Sequence, residues 1–212
     1  MSPEITMILL TGFEPFGGDS TNPSIEASRR AAVILTENGW PAAAVELPCI
    51  FSDAPGALRR ALEKYDPELV VCTGLNAGTG QIRLERAALN MMDARIPDNA
   101  GQQPIDVPVA PGGPAAYFTS LPIKRALAAL QKVGTPAQVS PSAGTFVCNQ
   151  IFYTLMHELG ASGSAIRGGF VHVPPSGAAG MEPEVVARAL VLVVREALDG
   201  SADISLGAGT VA

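Results

Sequence analysis

The stretch ITMILLTGFEPFGGDSTNP, residues 5–23, decides the architecture. Ile5 to Thr11 is an apolar run of strand length, and it ends in the glycine-rich loop Gly12 to Gly18. Asn22 then offers an N-cap with Pro23 at the first helical position, and Ala27, Ala31 and Ile34 recur at helical spacing before Gly39. This is a strand, loop and helix unit. The same alternation continues through the chain, which favours an α/β sheet covered by helices over segregated layers of strands and helices.

Further strands are expected at Ala43 to Leu47, Leu69 to Cys72, Ala137 to Val139 and Phe170 to Val173, with Ile82 to Asn90 extended. Helices are expected around Leu58 to Tyr65, with Ser52 or Asp53 as cap, and at Leu121 to Val133, Phe146 to Leu159 and Glu184 to Leu198. Asp93 to Gly113 is rich in proline and glycine and reads as loop with room for a hairpin. The fold expected is one α/β domain over residues 1–212: a twisted, mixed or mostly parallel sheet with helices on both faces. Residues 201–212 read as a loose tail.

Apolar residues at 47% and charged residues at 16% describe an ordinary folded chain. Fourteen basic against twenty acidic residues leave a net charge of −6, which argues against nucleic acid and anionic membranes as partners. No apolar run approaches the roughly 20 residues that span a bilayer and no signal segment opens the chain, so a cytoplasmic location is expected. Cys49, Cys72 and Cys148 form no paired metal spacing, and with only His157 and His172 a histidine-rich metal site cannot be built. A catalytic metal is not expected. The glycine loops fit neither the P-loop nor the dinucleotide fingerprint, which speaks against a nucleotide-binding module.

Cys148 is the thiol of interest because Ser142, Gly144 and Thr145 supply a helix start before it. With Thr145 as N-cap it falls in the first turn, where unpaired N–H groups and the helix dipole favour thiolate and would bind an oxyanion. A buried, inert core cysteine fits the local sequence as well. Cys72 reads as core, and Cys49, after Pro48, as a residue able to line a pocket. His172 ends a strand just before Pro174, where side chains reach site loops, and is either a general base or a structural histidine. His157 reads as solvated near a helix end. Glu85, between Arg83 and Arg86, is either the group that orients the base or a member of an exposed ion-pair cluster.

Four segments together resemble pyroglutamyl peptidase I, the pyrrolidone-carboxylate peptidases. They are ILLTGFEPFGGDSTNPS from Ile8, ERAALNMMDARIPDNAG from Glu85, SAGTFVCNQIFYTLMHE from Ser142 and RGGFVHVPP from Arg167. The connecting GGPAAYFTSLPIKRAL is similar too, and order and spacing agree over nearly the whole chain. The resemblance implies a cysteine exopeptidase that releases N-terminal pyroglutamate from peptides through a thioester, with Glu85, Cys148 and His172 as catalytic triad and no cofactor. It also implies that Arg95 supports the oxyanion and that Phe13, Phe16, Asn22, Ile96, Phe146 and Val147 bind the substrate. A homo-oligomer, dimer or tetramer, is implied as well.

The chain departs from the family pattern between Gly74 and Leu84, where Leu75 stands in place of a glutamine and the matching arginine and proline are missing. Cys49 stands where members often carry threonine. These departures leave two alternatives: a related cysteine amidase with altered substrate preference, or an inactive homologue kept for binding.

Overall fold

In the computed structural model, which describes residues 7–161, 166–177 and 180–209, the opening unit is built as its sequence dictates. Strand β1 (Ile8–Phe13) is buried along its whole length, and helix α1 (Pro23–Glu37) follows the glycine loop. Each fully buried side chain such as Leu9 or Leu10 contributes about 1.5–3 kcal/mol on leaving water. The Asn22 side chain accepts from the Ser24 N–H at 3.0 Å, so the expected cap is present. Gly12 is obligatory at the crossing: a Cβ there would stand 2.4 Å from the Ile25 backbone nitrogen. Ile5 and Thr6 of the expected first strand lie outside the described residues.

The remaining elements are β2 (Ala42–Leu47), α2 (Ala54–Tyr65), β3 (Leu69–Leu75), β4 (Ile82–Leu89), β5 (Ala116–Phe118), α3 (Ile123–Lys132), β6 (Ala137–Ser142), α4 (Val147–Ala161), β7 (Arg167–Val173) and α5 (Pro183–Leu198). They form one domain around a seven-stranded sheet. Strands β2, β1, β3 and β7 run parallel; β4 is antiparallel to β7 and parallel to β6, and β5 pairs with the far end of β4. The mixed α/β sheet expected from the sequence is therefore the observed one. One apolar layer packs α1, α3 and α5 on one face, and a second packs α2 and α4 on the other. No helix among the described residues is long and apolar enough to cross a membrane.

Three local differences have physical causes. β5 was not expected because its three residues, two of them exposed, carry no pattern of their own and are held by pairing with Ala87 to Leu89. The segment after Asp93 is irregular as expected, with one antiparallel bridge between Met92 and Val107. Asp53 precedes α2 without capping it, its carboxylate accepting instead from the Ser52 hydroxyl. Residues 201–209, expected to be loose, are fixed: the Asp203 carboxylate accepts from the N–H groups of Lys124 and Arg125 at 3.1 and 2.9 Å, and Leu206 and Ala208 pack on the core. Residues 210–212 of that tail lie outside the described residues.

Candidate active site

Side chains on alternate residues of a strand share a face, and directly paired residues face the same way. Gly74 of β3 pairs with His172 of β7, and His172 pairs with Arg83 of β4. Glu85, two residues beyond Arg83, therefore rises on the face covered by α2 and α4. There its Oε1 lies 2.8 Å from His172 Nδ1, with the glutamate side chain 1% and the histidine 8% exposed. A carboxylate can only accept, so Nδ1 carries the proton and Nε2 is left as the basic nitrogen. The Phe170 ring meets the imidazole edge-on at 4.9 Å and helps hold its plane.

Glu85 is thus buried, and of its two neighbouring arginines only Arg83 approaches it, with Nε 3.9 Å from Oε1. The Arg83 guanidinium also donates to Ser140 Oγ at 3.0 Å. Among the described residues, Glu85 Oε2 and Arg83 Nε are buried without a hydrogen-bond partner. The surface ion-pair cluster that the sequence allowed is not formed, because strand alternation turns Glu85 inward.

Cys148 reaches the same place from above. It is the second residue of α4, as the first-turn argument requires, and only partly exposed. Its Sγ would lie 2.7 Å from a Cβ at Gly74, the register partner of His172, so glycine is what lets the sulfur approach the strand. Thr145 is not the cap: its hydroxyl donates to the Asp93 carbonyl at 2.7 Å, and the first helical bond runs from the Gln150 N–H to the Phe146 carbonyl. Burial raises the Cys148 thiol well above its ordinary range, and the Cys49 thiol and Glu85 carboxylate push the same way. The Cys148 backbone N–H pulls downward but does not prevail. The helix start therefore does not outweigh burial, which disfavours the thiolate at Cys148.

Cys148 opens into a cavity of about 290 Å³. Its walls are largely apolar: Phe13, Phe16, Cys49, Leu75, Ala77 and Phe146, with Asn22 among the polar lining groups. Phe146 packs on Phe16 with centroids 5.3 Å apart and edge-on against Phe51 at 5.1 Å. Cys49 does line the pocket, its thiol pushed up to about 12 by burial, then by Glu14 and Asp98. The Asn22 amide is already engaged, donating to the Glu14 carbonyl at 2.9 Å and accepting from Ser24.

Two residues expected in the pocket walls, Val147 and Ile96, and Arg95, expected to support the oxyanion, are not among the residues that line the cavity. Val147 is fully buried in the apolar layer beneath α4, since the residue before Cys148 on a helix points away from it. Arg95 and Ile96 are exposed, Ile96 at 44%, on the segment that Asp93 ties to Thr145. His157 is not free in solvent: its Nδ1 lies 2.8 Å from the Tyr117 hydroxyl and its ring stacks on Tyr153. Ala77, Gly17, Asp19 and Thr21 line the cavity without having been singled out by the sequence. The last three share the loop of Phe13 and Asn22, which was the available signal. Among the described residues no group of three histidine, cysteine or acidic side chains converges as metal ligands would.

The comparisons with known proteins agree with one another. The family model described as pyroglutamyl peptidase matches residues 6–195. The pyrrolidone-carboxylate peptidase of Klebsiella pneumoniae (strain 342) is 45% identical over 210 residues, 95% of this chain and 97% of that protein. That of Pseudomonas fluorescens (strain SBW25) is 51% identical over 168 residues, 79% of this chain and 78% of the relative. Among solved structures, pyroglutamyl peptidase I from Bacillus amyloliquefaciens superposes with a TM-score of 0.91 at 40% identity, covering 96% of this chain and all (100%) of its own. Pyrrolidone carboxyl peptidase from Thermococcus litoralis gives 0.87 at 34% identity, covering 95% and 99%. Family model, relatives and solved folds converge, and the chain belongs to the pyroglutamyl peptidase family.

Proposed function

We propose that this chain removes an N-terminal pyroglutamyl residue from peptides, with Cys148 as nucleophile, His172 as general base and Glu85 as the group that fixes the imidazole. The observation that carries the reading is the buried 2.8 Å contact between Glu85 and His172, beside the glycine against which the Cys148 sulfur rests.

Burial disfavours the thiolate, so in this reading the thiol proton passes to His172 Nε2 as sulfur attacks the pyroglutamyl carbonyl carbon. The new S–C bond drives the carbonyl electrons onto oxygen, and first-turn N–H groups of α4 face that charge. Collapse breaks the C–N bond, and the imidazolium returns its proton to the leaving amine. Water, deprotonated by the same nitrogen, then hydrolyses the thioester. Arg95, exposed on the segment clamped to Thr145, supports the oxyanion once substrate is bound in this reading. The flat, uncharged lactam suits a small, largely apolar, aromatic-walled cavity. Phe13, Phe16, Phe146 and Asn22 contribute to its walls.

Three free thiols are in keeping with a reducing cytoplasm. The family resemblance supports a homo-oligomer, dimer or tetramer, which light scattering would measure.

The test is release of a fluorescent amine from its pyroglutamyl amide, with the prolyl amide as control and Cys148→Ser as blank. Turnover of the pyroglutamyl amide alone, lost in the variant, is the expected result. Equal turnover in Cys148→Ser, or none in folded and reduced wild type, removes the assignment.

A further inference from the structure

Three loops meet at one carboxylate beside the cavity. Glu14 follows Phe13 and precedes Phe16, and it is half-buried. Its Oε1 accepts the Cys49 backbone N–H at 3.0 Å and the Asn99 side-chain amide at 2.8 Å. That Asn99 amide also donates to the Pro15 carbonyl at 3.0 Å, and the Asn99 N–H donates to the Cys49 carbonyl at 3.2 Å. The Glu14 backbone is held as firmly: its N–H donates to the Leu47 carbonyl at 2.9 Å and its carbonyl accepts from Asn22 at 2.9 Å. Next to Asn99, the buried Asp98 carboxylate accepts from the N–H groups of Phe51, Ala100 and Gln102 at 2.7, 2.9 and 2.8 Å. One side chain thus joins the loop after β1, the loop after β2 and the segment after β4.

We propose that Glu14 is a positioning residue for the acyl pocket: it fixes the gap between Phe13, Phe16 and Cys49 into which the lactam ring enters. The inference rests on the pyroglutamyl reading above. Glu14 is not among the described residues that line the cavity, so it acts through the walls it holds. Hydrogen bonds to an ionised acceptor are stronger than neutral ones, and here two donors from different loops share one oxygen. Cys148, His172 and Glu85 stand on α4, β7 and β4, none of which these bonds anchor. Loosening the clamp therefore adds an ordering cost to ring binding while leaving the reacting groups in place.

The test compares wild type, Glu14→Ala and Glu14→Gln for kcat and KM on the pyroglutamyl amide, and for inhibition by 2-pyrrolidone, the bare lactam. Glu14→Ala should raise KM and the 2-pyrrolidone inhibition constant about tenfold with kcat within about threefold, and Glu14→Gln, which keeps an acceptor oxygen, should recover most of the loss. Unchanged KM and inhibition in folded Glu14→Ala, or a fall confined to kcat, overturns the proposal. Should that variant fail to fold, Asn99→Ala removes one arm of the clamp, and a rise of about threefold in the same two constants decides the matter. A wild type without turnover refutes the catalytic reading instead, and calorimetric binding of 2-pyrrolidone to wild type and Glu14→Ala then tests the clamp alone.

Discussion

Glu85 lies between two arginines in a stretch that also suits an exposed ion-pair cluster, and only its neighbours in space give it another role. Buried at 1% exposure against His172, it holds the proton on Nδ1 and leaves Nε2 free. A glutamine at this position can donate its amide to Nδ1 and so select the wrong tautomer. In the serine-protease template the corresponding exchange lowers kcat by about 10⁴-fold, and Glu85→Gln is expected to lose about a thousandfold or more in kcat with little change in KM. Steady-state kinetics on the pyroglutamyl amide check this, and activity within tenfold of wild type would take Glu85 out of the mechanism. At the same scale, Gly74 shows why a small residue is required: any Cβ would meet the Cys148 sulfur and the Phe170 ring.

At the scale of elements, helix α3 depends on residues distant in sequence. Its N-cap position is Pro122, which makes no side-chain cap, yet two of its first N–H groups are satisfied by Asp203. A carboxylate at a helix start also faces the positive end of the dipole. Asp203→Ala should therefore cost about 1 kcal/mol of stability in urea unfolding, by the usual size of a lost cap. A midpoint unchanged within error would mean that residues 201–209 are not fixed as described. The starts of α1 and α5 were legible because their signals are local: Asn22 and Pro23 open α1, and an apolar stripe marks α5, whereas the caps expected of Asp53 for α2 and Thr145 for α4 are not made. β5 was not, since three residues without a pattern become a strand only through the partner they find.

For the whole molecule, the three cysteine thiols set a limit at alkaline pH. Cys49 and Cys72 are raised from 9.0 to about 12, chiefly by burial, and Cys148 is raised in the same direction. Between pH 9 and 12 the unfolded chain has lost thiol protons that the folded chain keeps, so stability falls as pH rises, by up to about 1.4 kcal/mol per pH unit for each thiol. Unfolding free energy measured across that window should fall steeply, and Cys72→Ala should show a shallower slope whatever its starting stability. An identical slope would mean that Cys72 ionises alike in both states. The sequence by itself determined the alternation of strands and helices, the cap of α1, the place of Cys148 in a first helical turn and the family, because each is carried by local pattern or by segments read in order. Tertiary structure alone decided that Glu85 is buried on His172, that burial raises the Cys148 thiol, that Val147 points into the core, and that Arg95 and Ile96 face solvent. These depend on strand register, on desolvation and on which loops meet, and such quantities arise only when distant parts of the chain pack together.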